Sequence, residues 1–408
     1  MAFEHTGIII GVNTKDHKDI EVEVQELKSL SESVGIEIMG THVQNRSSRD
    51  PKSYVGTGFI EEVCMMYEEI DYVIVNDEIT ASQNRRLEDL LDTRIIDRTQ
   101  VILDIFSLRA ESRAGKLQVE LAQLEYLVPR LSGQGINLSR LGAGIGTRGP
   151  GETKLETDRR HIRTRIKEIK KQLMQVENHR TRYREKRRRN QVTKISLIGY
   201  TNAGKSSLFN AMAKSDTYEE DALFATLDSK TRRLKLPSGF ECIISDTVGF
   251  IQNLPTTLIE SFKSTLEEAA DSDFIIHVID NNSEHIGIHY DTVKSLMQSL
   301  DMADIPQTVF FNKSDLNAGE HFIPSEPSYF VNKDMGTQVL LGRLETFMTD
   351  AFSSYQCRIP AHESQKLYDI KRHTIVTEAV LSDNVYEIKG YSPEGNWVNR
   401  ILGSTDNE

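Results

Sequence analysis

Cysteine is scarce in this chain: 3 in 408 residues, at Cys64, Cys242 and Cys357. They are widely separated and odd in number, which excludes a disulfide frame and a CxxC metal site, so all three read as reduced thiols. Long hydrophobic runs are also missing. The longest, FIIHVI at 274–279, is far too short to span a bilayer, and the opening MAFEHTGIIIGV has no basic start of the kind a secretion signal needs. A cytoplasmic protein without a membrane span is expected, with peripheral membrane association left open. Gly and Pro are not in excess, and 38% hydrophobic with 27% charged residues excludes global disorder. The length suits roughly two to four domains.

Positive charge is in deficit overall, with a formal net charge of −12. Its distribution is very uneven. Between Lys154 and Asn190 stand 15 Lys and Arg against 5 Asp and Glu, a local charge of +10 that leaves −22 for the remainder. Such a chain is not a general polyanion binder, but its one basic arm can neutralise phosphates locally. The plainer alternative is a solvated helix face.

Residues 7–97 alternate β-like runs (GIIIGV, IEIMGTHV, DYVIVN, TRIID) with helical patterns (IEVEVQELKSLSESV, IEEVCMMYEEI, NRRLEDLLD). That order predicts a small parallel sheet with helices packed on it. The turn YVGTGF, Tyr54 to Phe59, stands before a helix and could receive an anion, although a tight packing turn is the simpler reading. From Lys116 the period changes. Leu117, Leu121, Leu124, Val128 and Leu131 make one heptad-like stripe, and Leu155, Ile162, Ile166, Ile169, Leu173 and Val176 make another. Two such helices predict an antiparallel helical hairpin with residues 132–152 as its tip.

The tip holds seven glycines, and Gly144, Gly146 and Gly149 have the spacing of a dinucleotide-binding fingerprint. That fingerprint works only between a strand and a helix start, where N–H groups face the phosphates. Here a Leu-rich helix and a loop precede it and Pro150 interrupts it, so the spacing does not mark a cofactor site.

The chemistry lies in residues 194–315. KISLIGYTNAGKSSLFNAM reads as strand, loop and helix, with Gly199, Tyr200, Thr201, Asn202, Ala203, Gly204, Lys205, Ser206 and Ser207 forming a phosphate-binding loop. Its N–H groups wrap phosphates, Lys205 neutralises β/γ oxygens, and the Ser206 hydroxyl reaches Mg²⁺. ALFATLD then offers Thr226 to Mg²⁺ and the γ-phosphate. CIISDTVGF ends a strand in Asp246, placed to hold Mg²⁺, with Gly249 free to bring its N–H to the γ-phosphate. TVFFNKSD ends another in Asn312, Lys313 and Asp315. A carboxylate at Asp315 accepts from the N1–H and amine of guanine, whereas adenine presents an acceptor, so GTP is selected over ATP. Lys205, Thr226 and Gly249 are the expected catalytic residues. Ser206, Thr226 and Asp246 are the expected Mg²⁺ ligands.

The set GYTNAGKSS, FATLD, DTVGF and NKSD resembles the HflX family of ribosome-associated GTPases, and the resemblance extends to YVGTGF, DRTQVILDIF and the long string GIGTRGPGETKLETDRR. It covers residues 7–315 closely and the rest loosely. The resemblance implies an α/β multidomain protein: an N-terminal β/α domain (1–103) with a helical hairpin (104–191), a Ras-like P-loop G domain (192–352) and a small α+β C-terminal domain (353–408). It further implies a monomer that binds GTP and GDP, associates with the large (50S) subunit through rRNA, and splits stalled, idle or hibernating ribosomes under stress. Arg140, Gly144, Gly146, Arg148 and Gly149 at the tip, and Arg159, Arg160, Arg187, Arg188 and Arg189 on the basic arm, are then the expected RNA contacts. One departure stands out: where the family usually places a Ser-Ala-like pair near the guanine, this chain has Asn332 and Lys333.

Phe250 follows Gly249, where many Ras-like GTPases carry the Gln that orients water. Slow intrinsic hydrolysis, stimulated by the ribosome, is therefore expected. Competing readings are a GTPase of large-subunit assembly, an RNA-binding scaffold that nucleotide merely stabilises, and an ATP-dependent RNA remodeller using YVGTGF as a second site.

Overall fold

The computed structural model describes residues 3–15, 19–67, 69–131, 150–189, 192–213, 224, 230–252, 269–315, 322–393, 398 and 402. They form two compact units. One comprises residues 1–180 with 222–227 and 252–264; the other comprises 181–221, 228–251 and 265–408.

In the first unit Ile8, Ile9, Ile10 and Val12 are all buried, so both faces of their strand are covered, as a central parallel strand requires. That strand, β1 (His5–Asn13), pairs in parallel with β2 (Ile36–Asn45) and β3 (Tyr72–Val75), and β3 pairs with β4 (Arg94–Asp97), giving the order β2-β1-β3-β4. The crossovers are α1 (Ile20–Ser33), α2 (Thr57–Cys64) and α3 (Ala81–Leu91). Asp19 caps α1 by accepting from Glu21 N and Val22 N, and Thr80 with Gln83 forms a capping box on α3. The strand order reverses between β1 and β3, the place where open α/β sheets take ligands. Side chains fill that place here. Arg98 is buried and donates to Glu23 O and Asn76 Oδ1, and it pairs with Glu26.

Arg98 opens α4 (Arg98–Arg109), which runs through residues 103 and 104, where the sequence reading divides the first two domains. Val101, Ile102, Leu103, Ile105 and Phe106 bury the first two turns of that helix against its unit, while Leu108 near its end is exposed. Next come α5 (Arg113–Arg130) and the 40-residue α6 (Pro150–Arg189). The two leucine-rich stripes meet where expected, with Leu117, Leu121 and Ile169 buried and Leu124, Ile166 and Leu173 around them. Arg165 pairs with Glu120, and Lys170 with Glu125. Tip residues 132–149, including Arg140, Gly144, Gly146, Arg148 and Gly149, lie outside the described residues, as does the side chain of Leu155.

The second unit contains a six-stranded sheet of order β10-β9-β8-β5-β7-β6, built from β5 (Lys194–Gly199), β6 (Lys230–Lys235), β7 (Glu241–Asp246), β8 (Phe274–Asp280), β9 (Gln307–Asn312) and β10 (Ser328–Phe330). Only the edge strand β6 is antiparallel to its neighbour. This is the expected P-loop G-domain sheet, covered by α7 (Lys205–Ala213), α8 (Ile286–Ser299) and α9 (Thr337–Ala351). The expected α+β end follows: β11 (Ser353–Pro360), α10 (Ser364–His373), β12 (Ile375–Ser382) and β13 (Val385–Ser392), with β13 central in an antiparallel sheet. Asp383 and Asn384 turn the last hairpin with φ of 48° and 62°, the backbone that a tight two-residue turn demands. Cys242 and Cys357 are free thiols, as expected, and among the described residues no helix is long and apolar enough to cross a membrane.

Candidate nucleotide-binding site

The site grows from the carboxyl end of β5. Gly199 is glycine because a Cβ there would lie 2.2 Å from Val278 O on the neighbouring strand. Asn202 and Gly204 turn the loop with φ of 59° and 80°. At Gly204 a Cβ would also lie 2.2 Å from Asn312 Nδ2. That amide donates to Ala203 O at 3.0 Å, so the motif ending β9 is laced onto the loop ending β5. Phe250 N donates to Gly199 O and Thr201 N to Phe250 O, which sets Gly249 against the loop, 3.1 Å from Lys205 Nζ at its Cβ position. Residues from four stretches of sequence thus meet at the carboxyl ends of the parallel strands.

Lys205 is 6% exposed and donates to Tyr200 O at 2.7 Å and Gly199 O at 3.1 Å. Burial lowers its pKa to about 8, against the pull of Asp246. Ser206 Oγ donates to Asp246 Oδ2 at 2.8 Å, and Asp246 is wholly buried. A hydroxyl and a carboxylate so close are hard oxygen donors of the kind Mg²⁺ takes. Thr226, expected as their third partner, lies outside the described residues. Thr201 Oγ1 and Asn312 Oδ1 are buried without a hydrogen-bond partner among the described residues, polar atoms that suit a polar ligand.

At the base-recognition end, Asp315 is exposed and Lys313 Nζ donates to Asp280 Oδ2 at 2.8 Å. Ser314 N donates to Val331 O, which places Asn332 and Lys333 beside this motif. The Asn332 side chain accepts from Asp334 N and Met335 N, so it is committed to its own turn. Phe250 is 2% exposed and meets the phosphate loop through its backbone. His277 is a core residue, stacked on Tyr290, and burial lowers its pKa to about 3.

Sequence reasoning missed Asp280 and His289. Asp280 ends a strand as Asp246 does, and that was the available signal. The stack of His289 on Tyr200 depends on tertiary contact and leaves no trace in spacing. The YVGTGF turn is a packing feature: Tyr54 N, Val55 N and Gly56 N donate to Asp50 O, Ser53 O and Gln44 Oε1, and the buried Tyr54 hydroxyl reaches Asp77. On the basic arm Arg160 is exposed and Arg159 half-buried; Arg187, Arg188 and Arg189 form the end of α6, and their side chains lie outside the description.

The chain matches the family model described as GTP-binding GTPase N-terminal over residues 21–107, GTP-binding GTPase Middle Region over 109–187, and 50S ribosome-binding GTPase over 194–313. It is 47% identical over 403 residues to the GTPase HflX of Alkalihalophilus pseudofirmus, covering 96% of this chain and 94% of that protein. It is 51% identical over 298 residues to the GTPase HflX of Caldanaerobacter subterraneus, covering 72% and 70%. A solved GTP-binding protein from Sulfolobus solfataricus in complex with GDP is 20% identical with a TM-score of 0.43, covering 85% of this chain and 99% of that one.

Proposed function

Since this chain belongs to the HflX family of GTPases, we propose that its GTP hydrolysis drives the splitting of stalled, idle or hibernating ribosomes into subunits. The nucleotide lies along Gly199 to Ser207, with Lys205 on the phosphates, Gly249 N–H toward the γ-phosphate and Asp315 on guanine. Asn312, Lys313, Asn332 and Lys333 line the base end, the last two through backbone. Mg²⁺ would be held by Ser206, Asp246 and Thr226, and when bound it supplies positive charge to the transferring phosphoryl group. Lys205 adds the fixed cation, and the closed backbone of Gly249 and Phe250 positions the loop.

The observation that carries the nucleotide reading is the joint geometry of Lys205 and Ser206 with Asp246 and Asn312, which bond to that segment from the ends of β7 and β9. The match to a 50S ribosome-binding GTPase and the +10 arm support the large subunit as partner. In this reading the glycine-rich tip and the arginines of α6 meet rRNA, while Phe250, whose side chain has no donor or acceptor, leaves water orientation to the ribosome-bound state. Phosphate release tests this directly. The isolated protein should turn GTP over slowly and purified large subunits should raise the rate at least about tenfold. Equal rates with and without subunits would refute the stimulated mechanism.

A further inference from the structure

Two consecutive residues of α8 each lay a ring flat on another ring. Tyr290 covers His277 of β8, with centroids 5.3 Å apart at 14°. His289 covers Tyr200, the second residue of the phosphate loop, with centroids 3.9 Å apart at 15°. The first stack joins helix to sheet, as core packing does. The second joins the helix to a loop whose peptide orientations must match the phosphates. Tyr200 is buried, and its carbonyl is the nearer acceptor for Lys205 Nζ.

His289 is itself held in place. Its Nδ1 lies 3.3 Å from Ser283 Oγ, which also accepts from His285 N. Earlier in the same connection, Asp280 accepts from Lys313 Nζ and Asn281 N donates to Asn312 O. The β8–α8 connection therefore grips the base-recognition motif at its start and the phosphate loop just beyond its end. A loop already fixed loses less freedom when a ligand arrives.

We propose that His289 is a positioning residue for the guanine nucleotide, holding the Tyr200 peptide in the orientation that phosphate binding uses. It acts through Tyr200, by the shape of its ring. Burial, with His285 alongside and Asp280 opposing, lowers the imidazole's pKa to about 4, so the ring is neutral in neutral solution. The inference rests on the nucleotide-site reading above, which GDP binding by the unaltered protein tests separately.

The experiment uses the full chain and a fluorescent GDP, with steady-state GTP hydrolysis in parallel. His289→Ala should weaken GDP binding by about 3- to 10-fold, chiefly through faster dissociation, the range expected for one aromatic pair. KM for GTP should rise by a similar factor while kcat stays within about twofold. His289→Phe, which keeps a flat ring, should return GDP affinity to within about twofold of the unaltered protein. Tyr200→Leu combined with His289→Ala should be no weaker than Tyr200→Leu alone, as for two residues acting through one contact. Should His289→Ala not fold, Tyr200→Leu removes the same stack and is held to the same loss of GDP affinity. Unchanged GDP affinity in the alanine variant overturns the proposal, as does a phenylalanine variant as weak as the alanine one. If the unaltered protein fails to bind GDP, the site reading itself falls.

Discussion

Burial keeps the Lys205 ammonium at a pKa of about 8, whereas an ordinary lysine titrates near 10.4. Phosphates beside it favour the charged form and raise that value. Between these limits nucleotide binding must take up a proton, and affinity should fall by up to about tenfold per pH unit above 8. Below 8 it should be flat. Calorimetry in two buffers of different ionisation heat checks this: uptake approaching one proton at pH 9 and near zero at pH 6.5 is expected. At Gly204 backbone and space act together, since φ is 80° and a Cβ would meet Asn312 Nδ2. Gly204→Ala should therefore abolish measurable GDP binding while the circular dichroism spectrum stays unchanged. Residues such as Lys205, Ser206, Asp246 and Asn312 were legible in the sequence because phosphate and cation chemistry dictates their types and spacing. His289 was not, because nothing in its spacing tells of a ring on another element.

At the scale of elements, hydrophobic period was a sound guide where each element has a clear buried side. The alternation over residues 7–97 gave β1 to β4 in order, and the stripes gave the contact of α5 with α6. Boundaries were less legible. The pattern IEEVCMMYEEI suggested a helix past Met66, but α2 spans Thr57–Cys64, and Met65 is 87% exposed. In the C-terminal sheet β11 is mostly exposed or half-buried, so its pattern carries little signal. The hairpin contact makes its own prediction. Ile169 is fully buried between the stripes, so Ile169→Ala should cost about 2–4 kcal/mol in a denaturant titration followed by circular dichroism. Arg165→Gln breaks only the exposed pairs with Glu120 and Glu168, and should leave the same titration nearly unchanged.

For the whole molecule, the contrast between an acidic body and one arm of +10 is the feature that composition alone conceals. Counterion release makes a quantitative demand on that arm. Replacing Arg187, Arg188 and Arg189 together with Gln should lower the salt dependence of large-subunit binding by roughly 2–3 in log–log slope and leave GDP affinity unchanged. Binding of equal strength and slope would show that the arm is only a solvated helix face. The glycine spacing at residues 144–149 shows how far local pattern can mislead: it imitates a cofactor turn, and its sequence context, a Leu-rich helical pattern before it and Pro150 after it, argues against one. Large-subunit binding alone would not separate a splitting factor from an assembly factor or a scaffold. Sedimentation of intact ribosomes does, after incubation with the protein and GTP, a non-hydrolysable analogue or GDP, beside a Lys205→Ala control. The account predicts conversion of intact ribosomes to subunits with GTP, little with GDP, and none with Lys205→Ala; intact ribosomes under every nucleotide, or equal splitting by Lys205→Ala, would contradict it.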